Sequence, residues 1–421
     1  MISVAFYFDK PGLEDLDYSS FLNGNPGMGG SEYEFLLVSQ LLARRNTELK
    51  VILLSRTVMP SSVKSYYVRD INDACNYCKK NDYDIFIINQ GQYDIVSDID
   101  KESLKLVLWA HNDIPEDRMS RINKDDHVKR VIFCGREFLE LNYDNLIMRK
   151  STYAYNIFPI QSKKWYIDKI DPNDNHNVVY MGAIVPGKGF DLLAQAWPEV
   201  IKKIPNATLY VIGSGRLYDK SAKMGRFGIA EESYENSFMP YLLDKNGKTI
   251  HSVHFLGVLG NEKFDILGKC KVGVPNPSGR TETFCLTAIE MQLLGCGLCS
   301  IYHPAYLDTI LHQEYLYKDT SQLANYIVKR LLSPHDNYDE LYDFIVKKFS
   351  TEESLQRWEN ILLHIEDNSI EHYSKNKYHL KPLKSILLQF KLYCTPLADV
   401  LPSVEKLFSI KNKIENKIRL Y

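Results

Sequence analysis

Short apolar segments alternate with helical patterns along this chain, and the alternation starts twice. Ser3–Phe8, Val51–Ser55, Ile85–Asn89, Leu106–Ala110 and Val131–Cys134 are rich in Val, Ile, Leu or Phe and end in polar residues, as buried strands do. Between the first two, Ser31 to Arg45 reads as a helix. Ser31 and Glu34 are spaced for a capping box, and Phe35, Val38, Leu41 and Leu42 form its apolar stripe. The polar stretch Asp168 to Asn177, which contains Pro172, reads as a linker. Strand patterns then resume at Val178–Met181, Thr208–Ile212, Val253–Leu256, Lys271–Val274 and Leu298–Tyr302, with helices at Asp191–Lys203 and Leu286–Leu294. Such alternation builds parallel sheets covered by helices on both faces. A chain of 421 residues also exceeds one ordinary core. The expectation is an α/β protein of two doubly wound Rossmann-like domains facing a central cleft, residues 1–165 and 166–350. Residues 351–421 follow as a crossing helix that returns to the first domain and a helical C-terminal extension. In open parallel sheets ligands bind beyond the carboxyl ends of the strands.

Composition excludes several functions. A net charge of −2 and a pI near 6.6 leave no basic surplus to neutralise phosphates, so nucleic acid is not an expected partner. No apolar run reaches the length of a membrane span, and Met1–Phe8 runs straight into a strand pattern, which points to a cytoplasmic protein. Two Cys-x-x-Cys pairs, Cys75–Cys78 and Cys296–Cys299, fall in different domains and read as reduced structural thiols rather than a zinc site. The stretch Glu371 to Tyr421 carries ten Lys/Arg against four Asp/Glu. Leu383, Ile386, Leu387 and Phe390 fall at helical spacing there, as do Leu407, Ile410, Ile414 and Ile418. With Lys406, Lys411, Lys413 and Lys417 in the second stripe, this tail suits peripheral contact with an anionic membrane face.

The segment Pro275-Asn-Pro-Ser-Gly-Arg-Thr-Glu-Thr-Phe-Cys-Leu-Thr-Ala-Ile-Glu290 carries the most chemistry. Two prolines and a glycine open a loop, and a helix is expected to begin near Thr283 or Phe284. Its first backbone amides and dipole would make an anion site. Glu282 and Glu290 flank that start, and carboxylates suit vicinal hydroxyls.

In this setting the sequence resembles family 4 of the retaining glycosyltransferases, which have the GT-B fold and a Glu-x7-Glu motif matched by Glu282 and Glu290. Position 285, usually glycine in the family, is cysteine here. Other segments follow the family's order. Met181-Gly-Ala-Ile-Val-Pro-Gly-Lys-Gly189 resembles the turn whose lysine grips the donor diphosphate, here Lys188. Ile212-Gly-Ser-Gly215 is similar to the next glycine turn, and His254-Phe-Leu-Gly257 to the segment whose backbone reads the nucleobase. Gly27-Met-Gly-Gly-Ser-Glu32 resembles the glycine loop that closes on the diphosphate, and His111 matches a histidine close to the donor sugar. Trp358-Glu359 resembles the late helix that packs on the first domain. The family's arginine after Gly182 is Ala183 here, with Arg280 or Arg216 as substitutes.

The resemblance implies a hexosyltransferase type of enzyme that moves a sugar from a nucleotide-diphosphate donor to a saccharide or lipid-linked saccharide acceptor. Configuration would be retained, without metal or other cofactor, in surface polysaccharide or glycoconjugate synthesis. His111, Lys188 and Glu282 would be catalytic. Gly29, Gly30, Gly215, Leu256, Arg280, Phe284, Cys285, Leu286 and Glu290 would bind the donor. The Asp-x-Asp triplets Asp15–Asp17, Asp82–Asp84 and Asp98–Asp100 read as chance in an Asp-rich chain. The alternatives are an epimerase or phosphorylase of the same fold, or a sugar-nucleotide sensor without activity.

Overall fold

The computed structural model describes residues 1–367, apart from 46–47, 97–103, 143–144, 174 and 220, together with residue 407. The basic tail singled out in the sequence and the triplet Asp98–Asp100 lie outside the described residues, Leu407 excepted. The chain forms two compact units. Unit 1 comprises residues 1–19, 31–155 and the described residues from 354 on, and unit 2 comprises 20–30 and 156–353.

Unit 1 is built on a seven-stranded sheet of β1 (Ile2–Phe8), β2 (Leu49–Ser55), β3 (Ser65–Tyr67), β4 (Ile85–Asn89), β5 (Lys105–Ala110), β6 (Val128–Phe133) and β7 (Ser151–Tyr153). The order is β3-β2-β1-β4-β5-β6-β7, and every pair is parallel. Central β1 pairs Val4 with Val51 on one side and with Ile85 on the other, and Val4, Ala5 and Phe6 are fully buried. Burial on both faces explains the unbroken apolar runs read from the sequence. The helix Thr351–Leu363 covers this unit. Its Trp358 is fully buried, with ring centroids 5.9 Å from Phe6 and 4.6 Å from Trp109. Glu359 pairs with Arg45 at 2.7 Å, and the Arg357 guanidinium lies 3.8 Å from the Tyr153 ring centroid.

Unit 2 contains a five-stranded parallel sheet of β8 (Asn177–Met181), β9 (Thr208–Ile212), β10 (Val253–Gly257), β11 (Val272–Gly273) and β12 (Gly297–Leu298), ordered β10-β9-β8-β11-β12. A separate parallel pair joins β13 (Ser300–Ile301) to β14 (Leu316–Tyr317). The single strand expected over Leu298–Tyr302 is therefore split after Cys299. There the buried Ser300 hydroxyl donates to the carbonyls of Pro275 (2.9 Å) and Asn276 (3.2 Å), and the backbone changes partner. Phe190, Leu193 and Trp197 of the helix Phe190–Lys203 pack on Val178, Leu209 and Val211 of the sheet.

Several sequence expectations need correction. The first long helix begins at Gly30, so Ser31 lies inside its first turn rather than ahead of it, and Glu34 is fully buried. The stretch 168–177 is not a free linker. Lys169 pairs with Asp265 at 2.7 Å, and the Asp171 amide donates to Gly268 at 2.8 Å. A side chain at 268 would meet the Lys169 carbonyl at 2.1 Å, so the glycine is what lets the segment lie flat. The two Cys-x-x-Cys pairs lie in separate units with all four side chains buried, and burial pushes the thiols of Cys296 and Cys299 up to about 12.

Both sheets have a point where strand order reverses. In unit 1 it lies between β1 and β4, and in unit 2 between β8 and β11. Connections leave in opposite directions there, which opens a crevice beyond the strand ends.

Candidate functional site

In unit 2 the loops beyond β8, β9, β10 and β11 interlock along one edge of the sheet. The Gly182 amide donates to Ile212 (3.0 Å), Ile184 to Ser214 (3.2 Å), and Gly213 to Gly257 (2.8 Å). A side chain at Gly213 would meet the Gly182 carbonyl at 1.8 Å, and one at Gly215 would meet the Ala230 Cα at 2.6 Å. The Gly-Ser-Gly turn is thus required by close backbone approach, and Gly215 acts through packing. Leu256 is half-buried at the end of β10, next to Gly257 at φ +69°.

Lys188 closes the short turn Pro186–Lys188 after β8, and Glu282 stands in the loop after β11. They meet at the reversal point. Lys188 Nζ lies 2.9 Å from Glu282 Oε2, with side chains 19% and 10% exposed. Asn276 Nδ2 donates to the same carboxylate oxygen (3.0 Å) and to the Arg280 carbonyl (2.9 Å). Thr281 carries a positive φ of 55°, and its hydroxyl donates to the Gly187 carbonyl at 3.3 Å. A threonine in that region costs about 1–3 kcal/mol, which the loop contacts must offset. Burial pushes the Lys188 ammonium down, but the adjoining Glu282 carboxylate outweighs it and the net shift is upward.

The helix that follows begins at Leu286, not at Thr283 or Phe284, with Cys285 as its N-cap. Phe284 and Cys285 are buried, and burial pushes the Cys285 thiol up to about 12. Leu286 opens the helix and Glu290 sits just over one turn inside it. Glu282 and Glu290 therefore lie on either side of the helix start, the position where an anion is best stabilised. Glu290 Oε1 is paired with Lys263 Nζ. Arg280 is exposed, and its guanidinium makes no ion pair or hydrogen bond among the described residues. Arg216 Nε instead donates to the Ala222 carbonyl at 3.3 Å.

The remaining expected residues fall elsewhere. Gly29 and Gly30 end a loop pinned by Asn25, whose Oδ1 accepts from the amides of Gly27 and Met28, both at 2.9 Å. A Cβ at Gly30 would have nothing within 4 Å, so this loop is open at its tip. His111 belongs to unit 1, directly after β5, buried with its ring centroid 4.5 Å from that of Trp109. Of the two described Asp-x-Asp triplets, Asp84 is committed to the amide (2.8 Å) and hydroxyl (2.7 Å) of Ser3, and the Asp17 carboxylate accepts from the Ser19 amide (2.8 Å). Among the described residues no group of three or more His, Cys, Asp or Glu is arranged to hold a metal ion.

Sequence reading missed three features. Lys263 pairs with Glu290 across 27 residues, and Asn276 braces Glu282; neither belongs to a spacing pattern that announces it. At the reversal point of unit 1, Asp9 accepts from Arg56 (2.8 Å) and Gln92 (2.8 Å). A polar residue at the end of a strand was the only available signal for Asp9.

Residues 175–333 match the family of glycosyl transferases group 1. That span contains Lys188, Gly215, Leu256, Arg280, Glu282, Phe284, Cys285, Leu286 and Glu290, while Gly29, Gly30 and His111 precede it. No curated protein matches the chain in sequence. Among solved structures, a glycosyltransferase from Rickettsia africae is 13% identical with a TM-score of 0.59, over 87% of this chain and 99% of that one. Anabaena HepE in complex with UDP is 14% identical with a TM-score of 0.56, over 86% and 100%. A mutant of S. aureus TarM in complex with fondaparinux, alpha-GlcNAc-glycerol and UDP is 16% identical with a TM-score of 0.50. That similarity covers 69% of this chain and 58% of TarM, less than two thirds of the latter's length. The fold shared with these proteins is the two-sheet parallel α/β fold of GT-B glycosyltransferases.

Proposed function

We propose that this chain is a retaining glycosyltransferase whose unit 2 binds a nucleotide-diphosphate sugar. The observation that carries the reading is the meeting of Lys188 and Glu282 at the reversal point of the unit 2 sheet, beside a helix start. Cation, carboxylate and helix amides together suit a sugar diphosphate: the first and last take the phosphates, and the carboxylate takes sugar hydroxyls. The family match over residues 175–333 and the UDP bound by Anabaena HepE support a nucleotide donor.

The bond between the anomeric carbon and the donor phosphate oxygen breaks, and negative charge gathers on the diphosphate. Lys188 and the amides of Cys285 and Leu286 stabilise that charge. The acceptor hydroxyl oxygen bonds to the same face of the anomeric carbon, and its proton passes to the departing phosphate oxygen. Glu282 orients donor-sugar hydroxyls and Glu290 the ribose. His111 takes the role implied by the resemblance, and His111→Ala is the test of it.

Four measurements examine this reading. A thermal-shift screen of nucleotide sugars is expected to find one that, at about 100 times its dissociation constant, stabilises the protein by about 2.7 kcal/mol. Slow hydrolysis of that donor without acceptor separates an enzyme from a sensor, and a total lack of turnover with and without acceptors overturns the reading. Because Lys188 and a helix terminus offset the leaving charge, activity is expected to persist in excess EDTA; complete loss restored by magnesium or manganese would overturn that part. Glu290→Ala is expected to raise KM and leave kcat near normal, since ribose contacts are equal in ground and transition states.

A further inference from the structure

The ion pair Lys263–Glu290 is formed by the helix Lys263–Leu267, which follows β10, and the helix Leu286–Leu293, which follows β11. Both side chains are largely buried, 20% and 11% exposed. A pair so shielded is expensive to assemble unless its remaining hydrogen-bonding capacity is used. That capacity is considerable. Glu290 Oε2 has no partner among the described residues, and Lys263 spends one of its three N–H donors on Oε1. The ammonium stem is held in place by the Phe264 ring, whose centroid is 5.1 Å from Nζ, and Phe264 in turn abuts Trp165 at 5.2 Å.

We infer that Lys263 and Glu290 act as one unit that reads the vicinal diol of the donor's ribose. Glu290 Oε2 accepts from one hydroxyl, while Lys263 donates to the oxygen of the other and fixes the carboxylate that its partner needs. A lone carboxylate offers a diol only acceptors. The pair offers a donor and an acceptor side by side, which matches two neighbouring hydroxyls better than either residue alone. Lys263 is thus a specificity residue of the nucleoside end and takes no part in bond breaking. This inference rests on the donor-site reading of unit 2.

The test uses the full chain, with UDP and 2′,3′-dideoxy-UDP as probes in calorimetric titrations of the unmodified protein and of Lys263→Met. The unmodified protein is expected to bind the dideoxy probe at least tenfold more weakly, about 1.4 kcal/mol. Lys263→Met is expected to lose about tenfold for UDP and to bind the dideoxy probe as the unmodified protein does, so that most of the preference for the diol disappears. The ratio within one variant is insensitive to a general loss of folded protein. Should Lys263→Met fail to fold, Lys263→Gln, which keeps an N–H donor without the charge, is expected to retain a weakened preference. Should UDP not bind, ADP or GDP with its dideoxy counterpart takes its place, and no binding of any of the three to the unmodified protein removes the donor-site reading itself. Normal UDP binding with an unchanged diol preference in the variants overturns the role of Lys263 alone, as does an equal loss for both probes.

Discussion

Replacing Lys188 with alanine is expected to lower kcat about 10²–10³-fold, or about 2.7–4 kcal/mol of transition-state stabilisation. In the family that the sequence resembles, an arginine after the glycine at 182 shares the diphosphate with the lysine. Here that position is Ala183, 1% exposed, with its carbonyl accepting from the Tyr180 hydroxyl at 2.9 Å. An arginine cannot enter that space without displacing the turn, so Ala183→Arg is not expected to rescue Lys188→Ala. Arg216 is held by Ala222, which leaves Lys188 as the cation fixed at the reversal point. The variant also leaves the Glu282 carboxylate with Asn276 as its remaining donor among the described residues, and breaking a buried pair from one side costs about 3–5 kcal/mol. Thermal unfolding of the unliganded variant therefore accompanies the kinetics, and Lys188→Arg separates charge from shape. Near-normal kcat in folded Lys188→Ala would mean that the diphosphate is held elsewhere, and exposed Arg280 is the next residue to replace.

The parts of this site that were legible in the sequence are those set by local spacing. Lys188 sits in a Pro-Gly-Lys-Gly turn, and Glu282 and Glu290 are eight residues apart, so both could be found along the chain. What joins them is not local. Lys188 reaches Glu282 across 94 residues, and that contact depends on β8 and β11 being neighbours despite two intervening strands. Lys263 looked like any lysine at a helix start until Glu290 came within reach of it. The long parallel strands were readable because burial on both faces demands continuous apolar runs. The strands β3, β7 and β14 were not, being two or three residues long and defined by their partners. The start of the helix at Leu286 was misjudged because Thr281 adopts a left-handed conformation that threonine composition does not announce.

Trp358→Ala is expected to destabilise unit 1 by about 3–5 kcal/mol, the usual cost of truncating a fully buried tryptophan. From Ser354 on, the helix Thr351–Leu363 belongs to that unit, and its Trp358 packs on Phe6 of β1 and Trp109 of β5. Its loss opens a cavity against Trp109, whose other neighbours include Phe35 at 4.8 Å and His111 at 4.5 Å. The imidazole of His111 is therefore seated on an aromatic cluster that Trp358 completes. Relaxation of Trp109 into the cavity moves the seat, and with His111 in the role proposed for it above, a displacement near 1 Å lowers turnover about 10²-fold. Affinity for the nucleotide identified by the thermal-shift screen is expected to stay unchanged, because the residues proposed to bind it belong to the loops of unit 2. Urea unfolding reports the stability loss, calorimetry the nucleotide affinity, and steady-state kinetics the fall in kcat. Trp358→Phe, which refills most of the cavity, is expected to restore the larger share of both stability and turnover. A stability loss below about 1 kcal/mol would show that the helix is not part of the unit 1 core, and a loss of nucleotide binding would show that Trp358 supports the nucleotide site instead.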